Sequence, residues 1–116
     1  MRVRIYQIDE KRDSNRVKFL WYEFTQVRAG RIDPSIYNVV FSGDVECDTL
    51  NGVFDLFNMP ELPEDYRGHS LSVSDVIEVC ERTEGPLEPG FYFCDTVGWR
   101  RLVDFDSTKT APLQAN

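Results

Sequence analysis

Several features that would indicate an enzyme, a metalloprotein or a membrane protein are missing from this sequence. It has one histidine and three widely spaced cysteines among 116 residues, with no Cys-x-x-Cys pair, so a structural zinc site is not predicted. No apolar run approaches the roughly 20 residues of a membrane-spanning helix, and residues 1–5 lack a signal-peptide core. We therefore expect a cytoplasmic protein without metal or other cofactors, whose cysteines are buried apolar side chains.

Motifs of known catalytic chemistry are also missing. There is no Gly-x-Ser-x-Gly turn and no glycine-rich phosphate loop followed by lysine. The only histidine, His69, is not near a cysteine in sequence, although Cys80 or Cys94 could approach it in the fold. We predict no catalytic residues and keep a thiol enzyme using Cys80 or Cys94 with His69 as a third hypothesis.

Five segments have the composition of strands, rich in β-branched and aromatic residues and bounded by turn residues. The predicted strands span residues 2–8, 36–42, 76–81, 91–95 and 99–105. The last two are close enough in sequence to form a hairpin that bends near Gly98.

Two further segments have the apolar period of amphipathic helices. In the first, Asp13 or Ser14 offers an N-cap and Gly30 a stop, and the apolar stripe is Val17, Leu20, Trp21, Phe24 and Val27. In the second, Asp48 offers the cap, and the stripe is Leu50, Val53, Phe54 and Phe57.

The resulting order, β-α-β-α-β-β-β, predicts an α+β fold. Its core is a mainly antiparallel five-stranded sheet packed with two amphipathic helices. The pattern leaves open whether this sheet curls into a partial barrel. Residues 1–105 should form a single domain, and the polar residues 106–116 a flexible C-terminal tail.

Between the second helix and the third strand lies a long polar connection, residues 58–74. Connections of this length in small domains are functional or are held by their own side chains. We predict that Gly68 adopts a φ that other residues avoid. The residues expected to structure this loop by local hydrogen bonds are His69, Ser70, Ser72, Ser74 and Asp75.

Charge is distributed unevenly along the chain. Residues 1–32 contain eight basic and four acidic side chains, whereas residues 33–99 contain two basic and fourteen acidic ones. Such an acidic segment repels phosphate backbones, so direct nucleic-acid binding is not expected. It could instead bind a basic surface of another protein, or serve only solubility. The predicted partner-binding residues are Glu61, Glu64, Asp65, Glu78, Glu81, Glu84 and Glu88.

Several runs in the central and C-terminal regions resemble the YodL-like domain family. They are Phe57-Asn58, Pro63-Glu64-Asp65-Tyr66, Gly68-His69-Ser70-Leu71-Ser72-Val73-Ser74-Asp75-Val76 and Tyr92-Phe93-Cys94-Asp95-Thr96-Val97-Gly98-Trp99, with a looser match at Tyr6-Gln7-Ile8-Asp9. Members occur mostly in Firmicutes, often on conjugative and other mobile elements. The resemblance therefore implies an accessory module of a mobile element, and it supplies no catalytic residues.

Together, this context and the charge distribution suggest a counter-defence role. The leading hypothesis is a non-enzymatic, anti-CRISPR-like inhibitor that occupies a basic nucleic-acid-binding surface of a host nuclease. The alternative is an interaction or regulatory module that binds a host cytoskeletal or conjugation protein without nucleic-acid mimicry. No membrane partner is expected, and the oligomeric state does not follow from the sequence.

Overall fold

The computed structural model describes residues 1–113 and confirms the predicted order of elements. The elements are β1 Arg2–Ile8, α1 Tyr22–Ala29, β2 Tyr37–Asp44, α2 Leu50–Leu56, β3 Val76–Val79, β4 Gly90–Cys94 and β5 Trp99–Leu102. Short 3-10 turns lie at Pro34–Ile36 and Ser107–Lys109. Among residues 1–113, no helix combines the length and apolar character needed to cross a lipid bilayer.

The five strands form one antiparallel sheet in the order β2-β1-β3-β4-β5. Its two edge strands, β2 and β5, do not pair with each other, so the sheet is open and not a barrel. β4 and β5 form the predicted hairpin, where Asp95 N donates to Gly98 O (3.1 Å) and Gly98 has a left-handed φ of 72°.

Side chains alternate between the two faces of the sheet along each strand, and each face carries a buried apolar cluster. One face includes Val3, Ile5 and Ile77 and packs against α2 through Val53 and Phe57. The other face contacts the α1 region and the residues after β5. Its buried members include Tyr6, Ile8, Val17, Val76, Phe93 and Phe105.

The predicted start of the first helix is wrong. Asp13 caps a turn instead of a helix, because its carboxylate accepts from the backbone N of Val17 (3.0 Å) and of Lys18 (2.9 Å). Phe19 then adopts a φ of 68°, which a right-handed helix cannot contain. The helix begins only at Tyr22, and Val27 from the predicted stripe is 84% exposed.

Other details near the helices and the C-terminus also differ from prediction. Thr49, not Asp48, caps α2 by accepting from Gly52 N at 3.0 Å. Part of the predicted flexible tail is bonded to the sheet, since Val39 N donates to Ala111 O (2.9 Å) and Ala111 N to Tyr37 O (3.0 Å). The remainder of that tail, residues 114–116, lies outside the described residues.

Candidate functional site

The long loop after α2 is bound to β1 by a buried glutamine. Gln7 is 3% exposed, and its Nε2 lies within hydrogen-bond distance of Tyr66 Oη (2.8 Å), His69 O (2.9 Å) and Asp75 Oδ2 (2.9 Å). Its Oε1 accepts from His69 N at 3.1 Å, and the Tyr66 hydroxyl also donates to His69 O. One β1 side chain thus contacts residues 59 to 68 positions later in the chain.

Asp75 is the buried carboxyl of this network, with 1% of its surface exposed. Its Oδ2 also accepts from Ser72 N at 2.8 Å. Burial raises the pKa of Asp75 to about 8, although the hydrogen bonds from Ser72 and Gln7 act in the opposite direction. The carboxyl therefore keeps its proton at pH 7.

His69 is bonded within the loop and not to a reactive partner. Its Nδ1 lies 2.7 Å from Ser70 O, and because a carbonyl only accepts, Nδ1 carries the proton. Its Nε2 is buried without a hydrogen-bond partner among residues 1–113, and the Phe19 ring lies 5.2 Å from the imidazole. Burial lowers the pKa of His69.

The geometry gives no support to thiol catalysis. No hydrogen bond joins His69 to a cysteine in the described part of the chain. Burial raises the pKa of Cys94 to about 12 and also raises the pKa of Cys80, whereas a nucleophilic cysteine needs a lowered pKa.

Of the other predicted loop residues, Ser72 bonds locally, whereas Ser74 bonds to a residue far away in the sequence. The Ser72 hydroxyl donates to Ser70 O (2.7 Å), and Ser74 Oγ accepts from Phe19 N (2.9 Å). Gly68 does not adopt a left-handed φ. Glycine is required there for space, because a Cβ would lie 2.0 Å from Gln7 Oε1.

Three of the predicted partner-binding acids already form hydrogen bonds or ion pairs within the protein. Glu78 accepts from Arg4 (3.3 Å) and from the Tyr6 hydroxyl (2.7 Å) on the sheet surface. Glu81 accepts from the backbone N of Arg2 at 3.0 Å. Glu88 forms an ion pair with Arg101 at 3.0 Å. By contrast Glu61, Glu64, Asp65 and Glu84 are exposed and form no ion pair within residues 1–113.

The sheet topology brings acidic residues from two connections to one end. β2 and β3 finish at this end, and β1 and β4 start there. Arg2 marks the junction, because its guanidinium lies 3.6 Å from Asp44 while its backbone contacts Glu81. We call this region the acidic end; its members are Asp44, Glu46, Asp48, Glu81, Glu84 and Glu88.

Two shallow clefts with apolar residues adjoin the acidic end. One, of about 360 Å³, brings Asp65 beside Asp44 and Glu46, with Phe41 and Leu56 in its wall. The next, of about 350 Å³, shares Glu46 and Leu56 and adds Asp55 and Met59, of which Met59 is 56% exposed. Acidic rims therefore surround apolar surface, although no three acidic, histidine or cysteine residues within 1–113 are placed to bind a metal ion.

The sequence was also compared with known protein families. The model of the YodL-like domain matches residues 2–105, from the first strand to the residues that follow β5. The chain belongs to the YodL-like domain family. This YodL-like domain includes all five strands and both helices, which confirms the resemblance seen in the sequence. Neither a curated protein nor a solved structure matches the chain.

The residues that organise the loop of this YodL-like domain carry only a weak signal in the sequence. Gln7 and Tyr66 were not predicted to be structural, although Gln7 follows Val3 and Ile5 in the inward alternation of β1. A polar residue at an inward strand position is the signal that could have identified it, because a buried amide must have partners.

Proposed function

We propose that this protein is a non-enzymatic, cytoplasmic protein-binding module whose acidic end occupies a basic, nucleic-acid-binding surface of a partner. The observation that supports this most is the gathering of Asp44, Glu46, Asp48, Glu81 and Glu84 at one end of the sheet. A purely solubilising charge distribution needs no such grouping, because dispersed charges serve solubility equally well.

Several carboxylates of the acidic end have no ion-pair partner within residues 1–113 and can contact another protein. Glu46, Asp48 and Glu84 are exposed and form no ion pair among residues 1–113. The guanidinium of Arg2 lies 3.6 Å from Asp44, but both side chains are well exposed. Exposed charges of one sign accelerate association with an oppositely charged surface and make it sensitive to salt.

The apolar surface beside the acidic end can add binding affinity that charged side chains alone do not provide. The buried core of an interface is more apolar than its polar rim, and methionine is enriched there. Met59 and Leu56 line the same clefts as Glu46, Asp55 and Asp65.

A nuclease such as a CRISPR effector is the partner class we propose, because its nucleic-acid channel is lined by basic residues. The family resemblance implies a mobile element, and an inhibitor of such a nuclease would serve a mobile element in counter-defence. Direct nucleic-acid binding by the acidic end is disfavoured, since its carboxylates repel phosphates.

Charge reversal tests this proposal. Glu46→Lys with Glu84→Lys alters two exposed members of the acidic end, and Glu10→Lys with Glu23→Lys reverses two exposed acids outside it as the control. Binding to purified nuclease–guide complexes should weaken about tenfold or more in the first variant only, because each reversal turns an attraction into a repulsion. Equal loss in both variants, or no binding by the native protein to any complex tested, would count against the proposal.

A second candidate is a module that binds a cytoskeletal or conjugation protein through apolar contacts. The favouring observation is a cleft of about 350 Å³ between the start of α2 and the β3–β4 connection, with Leu50, Leu87 and Trp99 in its wall. Binding to such a partner should survive high salt and the acidic-end variant but be weakened by Leu87→Asn.

A further inference from the structure

A separate cleft of about 410 Å³ lies at the opposite end of the sheet, where β1 finishes and β2 begins. Its wall includes Gln7, Lys11, Lys18, Asn38, Arg67 and His69. Small-molecule sites usually have volumes of about 300–1,000 Å³, so this cleft has room for one compact ligand.

The charge of this cleft is opposite in sign to that of the whole chain. Three cations line it, whereas Asp9 and Glu10 are its only lining carboxylates. Asp9 already contacts Arg12 at 2.8 Å, and Glu10 lies 3.5 Å from Lys18. Lys11 and Arg67 form no ion pair among residues 1–113, so the cleft attracts anions although the protein carries a net charge of −7.

The base of the cleft is built from ordered structure. Gln7 is held by four hydrogen-bond partners, and Gly68 packs against it where no Cβ would fit. Arg67 is positioned by its backbone, because Arg67 N donates to Val40 O at 2.8 Å, and its guanidinium donates to Glu64 O at 2.8 Å. A preformed wall of this kind reduces the entropy lost on binding.

We propose that this cleft binds a small phosphate monoester of nucleotide size. Arginine and lysine are the side chains that bind phosphate most strongly. Lys11 and Lys18 reach the cleft from the β1–α1 connection, and Arg67 reaches it from the α2–β3 connection. The carboxylate of Glu10 at the rim disfavours a longer polyanion. The site is distinct from the acidic end and does not depend on the function proposed above.

His69 provides a direct readout, because it is the only histidine in the chain and lines the cleft. Its ring resonances can be followed by NMR while inorganic phosphate, adenosine 5′-monophosphate or adenosine is added to the full chain. We expect a saturable shift with the monophosphate, a weaker effect with phosphate and none with adenosine. No saturation with the monophosphate up to about 10 mM, or an equal response to adenosine, overturns the proposal.

Variants and a longer ligand complete the test. Lys11→Gln with Arg67→Gln should weaken monophosphate binding about tenfold, whereas Arg82→Gln with Lys109→Gln, two exposed cations elsewhere, should leave it unchanged. Equal weakening in both double variants would show that only the net charge of the protein matters, and it would contradict a specific site in the cleft. Tighter binding of a 5′-phosphorylated oligonucleotide than of the monophosphate would contradict a small-ligand site.

Discussion

The buried carboxyl of Asp75 should make the protein less stable as the pH rises. Its pKa is about 8 in the folded protein, compared with 3.8 as the ordinary value. Between these pH values the unfolded chain releases the proton while the folded chain keeps it. The contribution of Asp75 to the free energy of unfolding therefore falls with increasing pH, by about 1.4 kcal/mol per unit, and by about 3 kcal/mol between pH 5.5 and 8.

Asp75→Asn isolates this effect. An asparagine oxygen can still accept from Ser72 N and Gln7 Nε2, but the side chain does not ionise. Urea unfolding should show that, between pH 5.5 and 8, the native protein loses about 3 kcal/mol more of its free energy of unfolding than the variant does. Asp104→Asn, at an exposed position, is the control and should follow the native profile. Parallel pH profiles for the native protein and Asp75→Asn would refute the reasoning.

Three further substitutions test local features of the fold, each by thermal or urea unfolding. Gln7→Leu should destabilise by about 3 kcal/mol or more, since it leaves several buried groups without partners; a loss under 1 kcal/mol would contradict this. Gly68→Ala should destabilise strongly because of the contact with Gln7, whereas Gly85→Ala, which has space, should not. Thr49→Ala should cost about 1 kcal/mol through loss of the α2 cap, and an unchanged midpoint would exclude that role.

Sequence patterns predicted the strands well, because strand formation follows local alternation of apolar residues. β1 was predicted with its observed limits, Arg2–Ile8, and β4 and β5 began within one residue of their observed starts. The sequence leaves open whether the sheet curls into a partial barrel, because no local pattern distinguishes an open sheet from a curled one. That difference depends on whether the two edge strands meet.

The first helix shows where local patterns fail. The residues before Tyr22 have a helical period, but Asp13 and Ser74 bond to their backbone N–H groups and hold them in turns. Ser74 is 55 residues away from its partner Phe19, so this competition is invisible to any local pattern.

The loop and the acidic end also depend on contacts between distant parts of the chain. His69 and Asp75 were predicted to structure the loop, but Gln7, the residue in another element to which both bond, was not. Likewise the excess of acidic residues could be read directly from the sequence. Their grouping could not, because it follows from the antiparallel pairing of β1 with β2 and β3.

The most direct test of the central claim is competition for a basic surface. Fluorescence anisotropy can measure labelled DNA bound to a purified nuclease–guide complex while the protein is added at low and at high salt. We expect the native protein to displace DNA at low salt, high salt to abolish this, and the variant Glu46→Lys with Glu84→Lys to displace little. Binding to the complex without displacement of DNA, or equal displacement by that variant, would contradict the claim.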